Sequence, residues 1–126
     1  MSTSSSDFDL VVRNARVVTA SDTFDCDIGI SEGRIVQLGA KLGPAAREID
    51  AAGRTVTPGG VVAHCHLGQP MGPPTRTAAD FDTGTRSAAC GGTTTVIPFA
   101  AQQKGQSLRA AVEDYRARAA GKAHVD

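Results

Sequence analysis

The sequence predicts a mixed α/β chain in two parts: a small β layer, then strand–loop–helix units of the kind that build a parallel sheet or barrel. Between Phe8 and Arg54, short Val- and Ile-containing runs are separated by turn residues. From Thr57 onward the order becomes strand, loop, helix, strand, loop, helix and an incipient strand. Pro58-Gly59-Gly60 marks the change of texture.

Residues 1–7, which include Ser2, Ser4, Ser5 and Ser6, read as a disordered tail. The β layer spans 8–56. Its runs are Phe8–Val12, Arg16–Val18, Cys26–Ile30, Arg34–Leu38 and Glu48–Asp50, with Thr55-Val56-Thr57 following the turn Ala51-Ala52-Gly53-Arg54. Ser31-Glu32-Gly33 is a hairpin turn in which glycine supplies the positive φ. Residues 57–126 carry the strand–helix units. After the Pro58-Gly59-Gly60 break, the short apolar run from Val61 that leads to His64-Cys65-His66-Leu67 reads as a strand, and Gly68–Thr75 is too rich in proline and glycine for regular structure.

Thr77-Ala78-Ala79-Asp80 has the form of a capping box, opening a helix through Phe81, Thr85 and Ala88/Ala89 that Gly91-Gly92 ends. Thr93–Pro98 is a β-branched run expected to be buried on both faces. Ser107 is an N-cap, and Leu108, Ala111, Val112, Tyr115 and Ala119 fall at helical spacing down one face until Gly121. Arg109, Glu113, Asp114, Arg116 and Arg118 take the solvated side, and His124-Val125-Asp126 approaches another strand.

Composition narrows the function. The chain has 126 residues, enough for one modest domain. Its 13 basic and 13 acidic residues cancel, so no basic field points to nucleic acid or to an anionic membrane. No apolar run approaches the ~20 residues of a spanning helix, and the serine-rich start lacks the basic and apolar regions of a signal peptide. A cytoplasmic protein is expected. Cys26, Cys65 and Cys90 are odd in number and irregular in spacing, as reduced thiols rather than a disulfide framework. There is no phosphate-binding G-x-x-x-x-G-K-[ST] loop, no G-x-S-x-G nucleophile elbow and no H-E-x-x-H helix.

The chemistry-bearing stretch is Thr57-Pro58-Gly59-Gly60-Val61-Val62-Ala63-His64-Cys65-His66-Leu67. In a strand, residues at i and i+2 share a face, so His64 and His66 point the same way and Cys65 the other. Two neutral imidazoles make half a metal site, since structural zinc takes four protein ligands and catalytic zinc about three plus water. Taken alone, such a pair is more often an accident of a strand or loop. Cys65 reads as a packed thiol, and Cys26 and Cys90 as small core residues. Asp80 and Asp82 suit helix capping and the first-turn dipole better than catalysis. His124 reads as an exposed residue rather than a ligand.

Pro58-Gly59-Gly60-Val61 leading to His64-Cys65-His66-Leu67, then Asp82-Thr83-Gly84-Thr85-Arg86-Ser87-Ala88-Ala89, then Gly91-Gly92-Thr93-Thr94-Thr95, resembles the amidohydrolase superfamily, specifically its hydantoinase/dihydropyrimidinase branch. The likeness runs from about Phe8 to Asp126. It implies a small β-sandwich portion over 8–56, followed at 57–126 by the first βα units of a metal-dependent (β/α)8 (TIM) barrel, left incomplete because a full barrel takes about 250 residues.

The resemblance also implies two bridged divalent metals per site, usually zinc, with His64 and His66 binding the more buried one. Water activated between the ions attacks the ring carbonyl, and an aspartate passes the proton to the leaving nitrogen. The bridging lysine, two further histidines and that aspartate belong to later strands, so no catalytic residue is assigned within 1–126. Gln69 and Met71, in a loop that helps form the substrate pocket in relatives, are candidates for substrate contact; a plain surface loop is the alternative. Relatives usually carry acidic residues two before the first histidine and two after the second, where this sequence has Val62 and Gly68. Gly68 also disfavours dihydroorotase, whose pattern resembles His-x-His-x-Arg.

By resemblance, then, the chain is the N-terminal fragment of a hydrolase that opens cyclic amides such as hydantoin or dihydropyrimidine rings at a non-peptide C–N bond. The whole protein would be a homo-oligomer. The isolated chain is expected to be inactive and to hold its metal loosely. The alternative is a non-catalytic remnant or partner-binding module, because two αβ units leave sheet edges and apolar helix faces unpaired.

Overall fold

The computed structural model describes residues 7–72 and 74–126, so the tail residues 1–6 and Pro73 of the loop lie outside the described residues. The chain divides into two compact units, one ending at Pro58 and one running from Gly59 to Asp126.

The first unit is a single mixed sheet. Its strands are β1 (Phe8–Val18), β2 (Thr23–Ser31), β3 (Arg34–Gly39), β4 (Ala45–Asp50) and β5 (Thr55–Val56). The order is β3-β2-β1-β4, with β5 also on β1; β1–β2 and β2–β3 are antiparallel, β1–β4 and β1–β5 parallel. Among the described residues, 8–56, expected to be a β-sandwich portion, contribute this one sheet. Ile35, Val36 and Leu38 of the edge strand β3 are exposed. Asp7, expected in the tail, donates its N–H to Pro44 O at 2.9 Å and belongs to the unit.

The runs Phe8–Val12 and Arg16–Val18 form one strand. Val12 pairs with Ile28 but Ala15 with Cys26, so β1 carries one extra residue, and Asn14 sits at φ 53°. Such a bulge shifts the alternation by one. Val12, Ala15 and Val17 consequently share a face and pack with Ile28, Cys26, Ile30, Ala51 and Val56 in the core. The β2–β3 hairpin turns through Glu32 at φ 52° and Gly33 at φ 71°, the type I′ geometry that matches strand twist.

The second unit begins with β6 (Gly60–Cys65), followed by α1 (Phe81–Cys90), β7 (Thr93–Pro98) and α2 (Leu108–Ala119). β6 and β7 are parallel. Gly59 is needed for their approach, because a Cβ there would lie 2.1 Å from Thr94 Oγ1. At the incipient strand two backbone hydrogen bonds reach β7: Asp126 N–H donates to Thr94 O at 3.1 Å, and Val96 N–H donates to Asp126 O at 2.6 Å. That is the slanted pattern of a parallel ladder on the far edge of β7.

The capping box is one turn later than Thr77: Asp80 is the N-cap, its carboxylate accepting from Thr83 N–H at 2.8 Å, while Asp80 N–H donates to Thr83 Oγ1 at 3.2 Å. β7 is not buried on both faces, and Ile97 is 55% exposed, since β6 is its one strand partner among the described residues. Cys90, expected in the core, is exposed at the end of α1. Ser107 does cap α2, accepting from Ala110 N–H, but only Ala111 and Tyr115 of its apolar stripe are buried, while Leu108 stays 69% exposed.

Leu67, Phe81 and Tyr115 centre this unit's core, with Cys65, Ala79, Val96, Ala100 and Ala119 around them. Cys65 thus packs as the alternation predicts, and burial pushes its thiol pKa up.

Candidate metal centre

His64 lies in β6 and His66 one residue past its end, and the two share a face as the i, i+2 spacing requires. His64 Nε2 and His66 Nε2 lie 3.3 Å apart. Both side chains are exposed among the described residues. Phe99, just past β7, packs on both rings, with centroids 4.5 Å from His64 and 5.4 Å from His66. Its N–H donates to Cys65 O at 3.0 Å, tying the two strand exits together. Nothing local in the sequence marks Phe99; its signal is its place one residue beyond the neighbouring parallel strand.

The following segment is held on both sides. Tyr115 Oη donates to Leu67 O at 2.9 Å, and Arg118 Nη1 donates to Gly68 O at 3.0 Å. Burial pushes the Tyr115 phenol pKa up. The loop expected to lack regular structure is in fact cross-tied. Gln69 N–H donates to Thr77 Oγ1 at 2.9 Å, Thr77 N–H returns to Gln69 O at 3.0 Å, and Pro70 bridges to Arg76.

The Gln69 side chain turns to His66, where its Oε1 meets the imidazole Nδ1. Gln69 also borders a cavity of about 380 Å³ walled by Asp114, Tyr115 and Arg118. Met71 is 64% exposed, its side chain at the surface. Val62 is partly exposed, and Gly68 adopts φ 56°.

Asp80 and Asp82 take structural places. Thr83 holds the Asp80 carboxyl pKa below its usual range, and His124 first, then Arg86, does the same for Asp82. His124 is fixed at the surface by Asp82 Oδ1 at 2.6 Å, while its N–H donates to the buried Thr85 Oγ1 at 2.9 Å.

Two ligands on one tetrahedral ion, each about 2.0–2.1 Å from it, stand about 3.3–3.4 Å apart. The two Nε2 atoms have that separation, and neutral imidazole is a good donor to zinc and its neighbours. The pair fits one edge of a coordination sphere. Among the described residues, no group of three or more His, Cys, Asp or Glu converges to complete it.

No family model matches the chain. It is 44% identical over 118 residues to the D-hydantoinase of Rhizobium radiobacter, covering 94% of this chain and 26% of that protein. It is 45% identical over 118 residues to the D-hydantoinase of Ralstonia pickettii, with the same coverage. A solved D-hydantoinase structure superposes with a TM-score of 0.89 at 44% identity, over 94% of this chain and 26% of that one. The chain thus spans about a quarter of the length of the curated relatives it matches.

Proposed function

We propose, from the premise that this chain belongs to the hydantoinase/dihydropyrimidinase branch of the amidohydrolase superfamily, that it supplies the first metal-binding strand of a cyclic-amide hydrolase. The substrate is a small ring such as hydantoin or dihydropyrimidine, opened at its C–N bond. The observation that carries this reading is the 3.3 Å span between His64 Nε2 and His66 Nε2. In this reading the second unit is the opening of a TIM barrel, with the histidines at the C-terminal end of its first strand, the end where barrel active sites lie.

His64 and His66 would hold one divalent ion, zinc by the resemblance. Such an ion, when bound, polarises a carbonyl and makes water a nucleophile near neutral pH. The chain's own part is positional. Tyr115 and Arg118 fix the backbone beyond His66, Phe99 packs on both imidazole rings, and Gln69 and Met71 of the loop are the candidates for substrate contact.

Val62 and Gly68 stand where the resemblance expects acids, and loss of such partners weakens affinity or activity ~10–100-fold. The cytoplasm is the compartment proposed, where the free thiols of Cys26, Cys65 and Cys90 would stay reduced. The homo-oligomer of the whole protein remains part of this proposal.

The test is a graft. This chain replaces the corresponding quarter of the Rhizobium radiobacter D-hydantoinase, and hydantoin ring opening is assayed. Activity that disappears in the His64→Ala and His66→Ala grafts supports the reading. A folded graft whose turnover ignores both substitutions contradicts it. The 126-residue chain alone is expected to turn over neither hydantoin nor dihydrouracil.

A further inference from the structure

We infer that Gln69 is a positioning residue for His66: its side-chain amide oxygen fixes the imidazole as the Nδ1–H tautomer and so presents the Nε2 lone pair. The inference rests on the metal-binding reading above and deepens it.

An amide oxygen only accepts hydrogen bonds. Contact between Gln69 Oε1 and His66 Nδ1 therefore requires the proton to sit on Nδ1. His66 Nε2 is left with its lone pair, 3.3 Å from His64 Nε2, so His64 Nε2–H is the donor of that second bond. For His64 to offer its own Nε2 to a shared ion as well, its proton would have to move from Nε2 to Nδ1.

Gln69 is itself rigidly placed. Thr77 takes the Gln69 N–H with its Oγ1 and gives its own N–H to the Gln69 carbonyl, so both backbone groups of Gln69 are clamped. Arg118 holds the carbonyl of Gly68, the residue before it. Metal-bound histidines commonly donate the other ring N–H to a carboxylate, a backbone carbonyl or water, which sets the tautomer and ring orientation. With glycine at 68, the amide of the next residue takes that place. A neutral acceptor orients the ring as a carboxylate would, with less enhancement of ligand basicity.

The test uses the 126-residue chain and two substitutions, Gln69→Leu and Gln69→Glu. Neither touches the backbone bonds to Thr77. In the metal-free chain, at a pH where histidine is neutral, nitrogen-resolved imidazole spectra should show His66 as Nδ1–H in the parent and in Gln69→Glu. Gln69→Leu should move it toward Nε2–H. A Zn²⁺ titration read at the ring resonances should then show binding ~10–100-fold weaker in Gln69→Leu and restored in Gln69→Glu.

A parent His66 carrying Nε2–H, or a tautomer that ignores Gln69→Leu, overturns the inference. So does a tautomer shift that leaves Zn²⁺ binding unchanged. Zn²⁺ binding identical in the parent and in the His64→Ala/His66→Ala double variant overturns instead the metal-binding reading on which it rests, and the metal-free spectra separate the two failures.

Discussion

Tyr115 Oη donates a 2.9 Å hydrogen bond to the carbonyl of Leu67, joining the middle of α2 to the residue that follows His66. The two residues also share a core with Phe81, whose ring meets Tyr115 edge-on at 4.9 Å. The strand exit that carries the histidines is therefore held by packing and by a hydrogen bond from one helix. Tyr115→Phe keeps the ring and leaves the Leu67 carbonyl without its partner. A loss of about 1–2 kcal/mol is expected in urea unfolding, and Leu67 N–H and its neighbours should exchange faster with solvent. An unchanged midpoint and unchanged exchange would remove Tyr115 from this role.

Gly29 in β2 lies beneath the buried Phe8 ring, and a Cβ there would stand 2.6 Å from Phe8 Cε1 and 3.0 Å from Leu42 Cδ1. The crowding atoms belong to a packed ring rather than to a free chain end. Gly29→Ala should cost about 1–3 kcal/mol by overpacking, measured as a lowered unfolding midpoint of the first unit. Gly33→Ala in the exposed turn meets no atom, so strain from its φ of 71° alone should make its cost the smaller.

Gly68 adopts φ 56°, a region that penalises side chains with a Cβ by roughly 1–2 kcal/mol. Restoring an acid at this position, as Gly68→Asp, is expected to lower stability while adding a carboxylate near the histidines. Val62→Asp carries no such backbone cost, because Val62 is 38% exposed on an ordinary strand. In the graft, Val62→Asp should raise turnover more than Gly68→Asp does; the reverse order would place the useful carboxylate after the pair.

Stability should fall in acid. Asn14 N–H, then Arg13 and Leu42 N–H, holds the Asp27 carboxyl below its usual range, and Arg13 does the same for Glu48. For groups whose folded pKa is depressed, the unfolded chain binds more protons as pH drops. Their stabilisation is complete above the ordinary carboxylate range near pH 4 and is lost as pH falls through the lower folded values. Urea midpoints should hold constant above about pH 5 and decline below about pH 4. Asp27→Asn should flatten the decline, and an equally steep fall in that variant would exclude Asp27 as a source.

Much of this architecture is written locally. Type I′ turn chemistry at Glu32-Gly33 and the cap at Ser107 are each decided by a few adjacent residues, and they sit where the sequence places them. The two strands read across Arg13-Asn14 became one because a bulge imitates a strand break: it shifts the alternation without ending the pairing. Thr77 and Asp80 both have capping side chains, and the choice fell to Asp80 because Thr77 is engaged with Gln69 across the loop, a tertiary contact invisible to spacing. The same holds at the histidines. Their common face follows from the period of a strand, whereas Phe99 on the rings and the Gln69 amide on His66 depend on how a neighbouring strand and a cross-tied loop return to that face.

The pairing of His64 and His66 as ligands of one divalent ion is tested most directly by titrating Co²⁺ into the 126-residue chain while following the ring signals of all three histidines. The expected result is perturbation of His64 and His66 together, at Co²⁺ concentrations that leave His124 on Asp82 untouched, and its loss in the His64→Ala/His66→Ala double variant. Perturbation of His124 first, or uptake that is unchanged in the double variant, would contradict it.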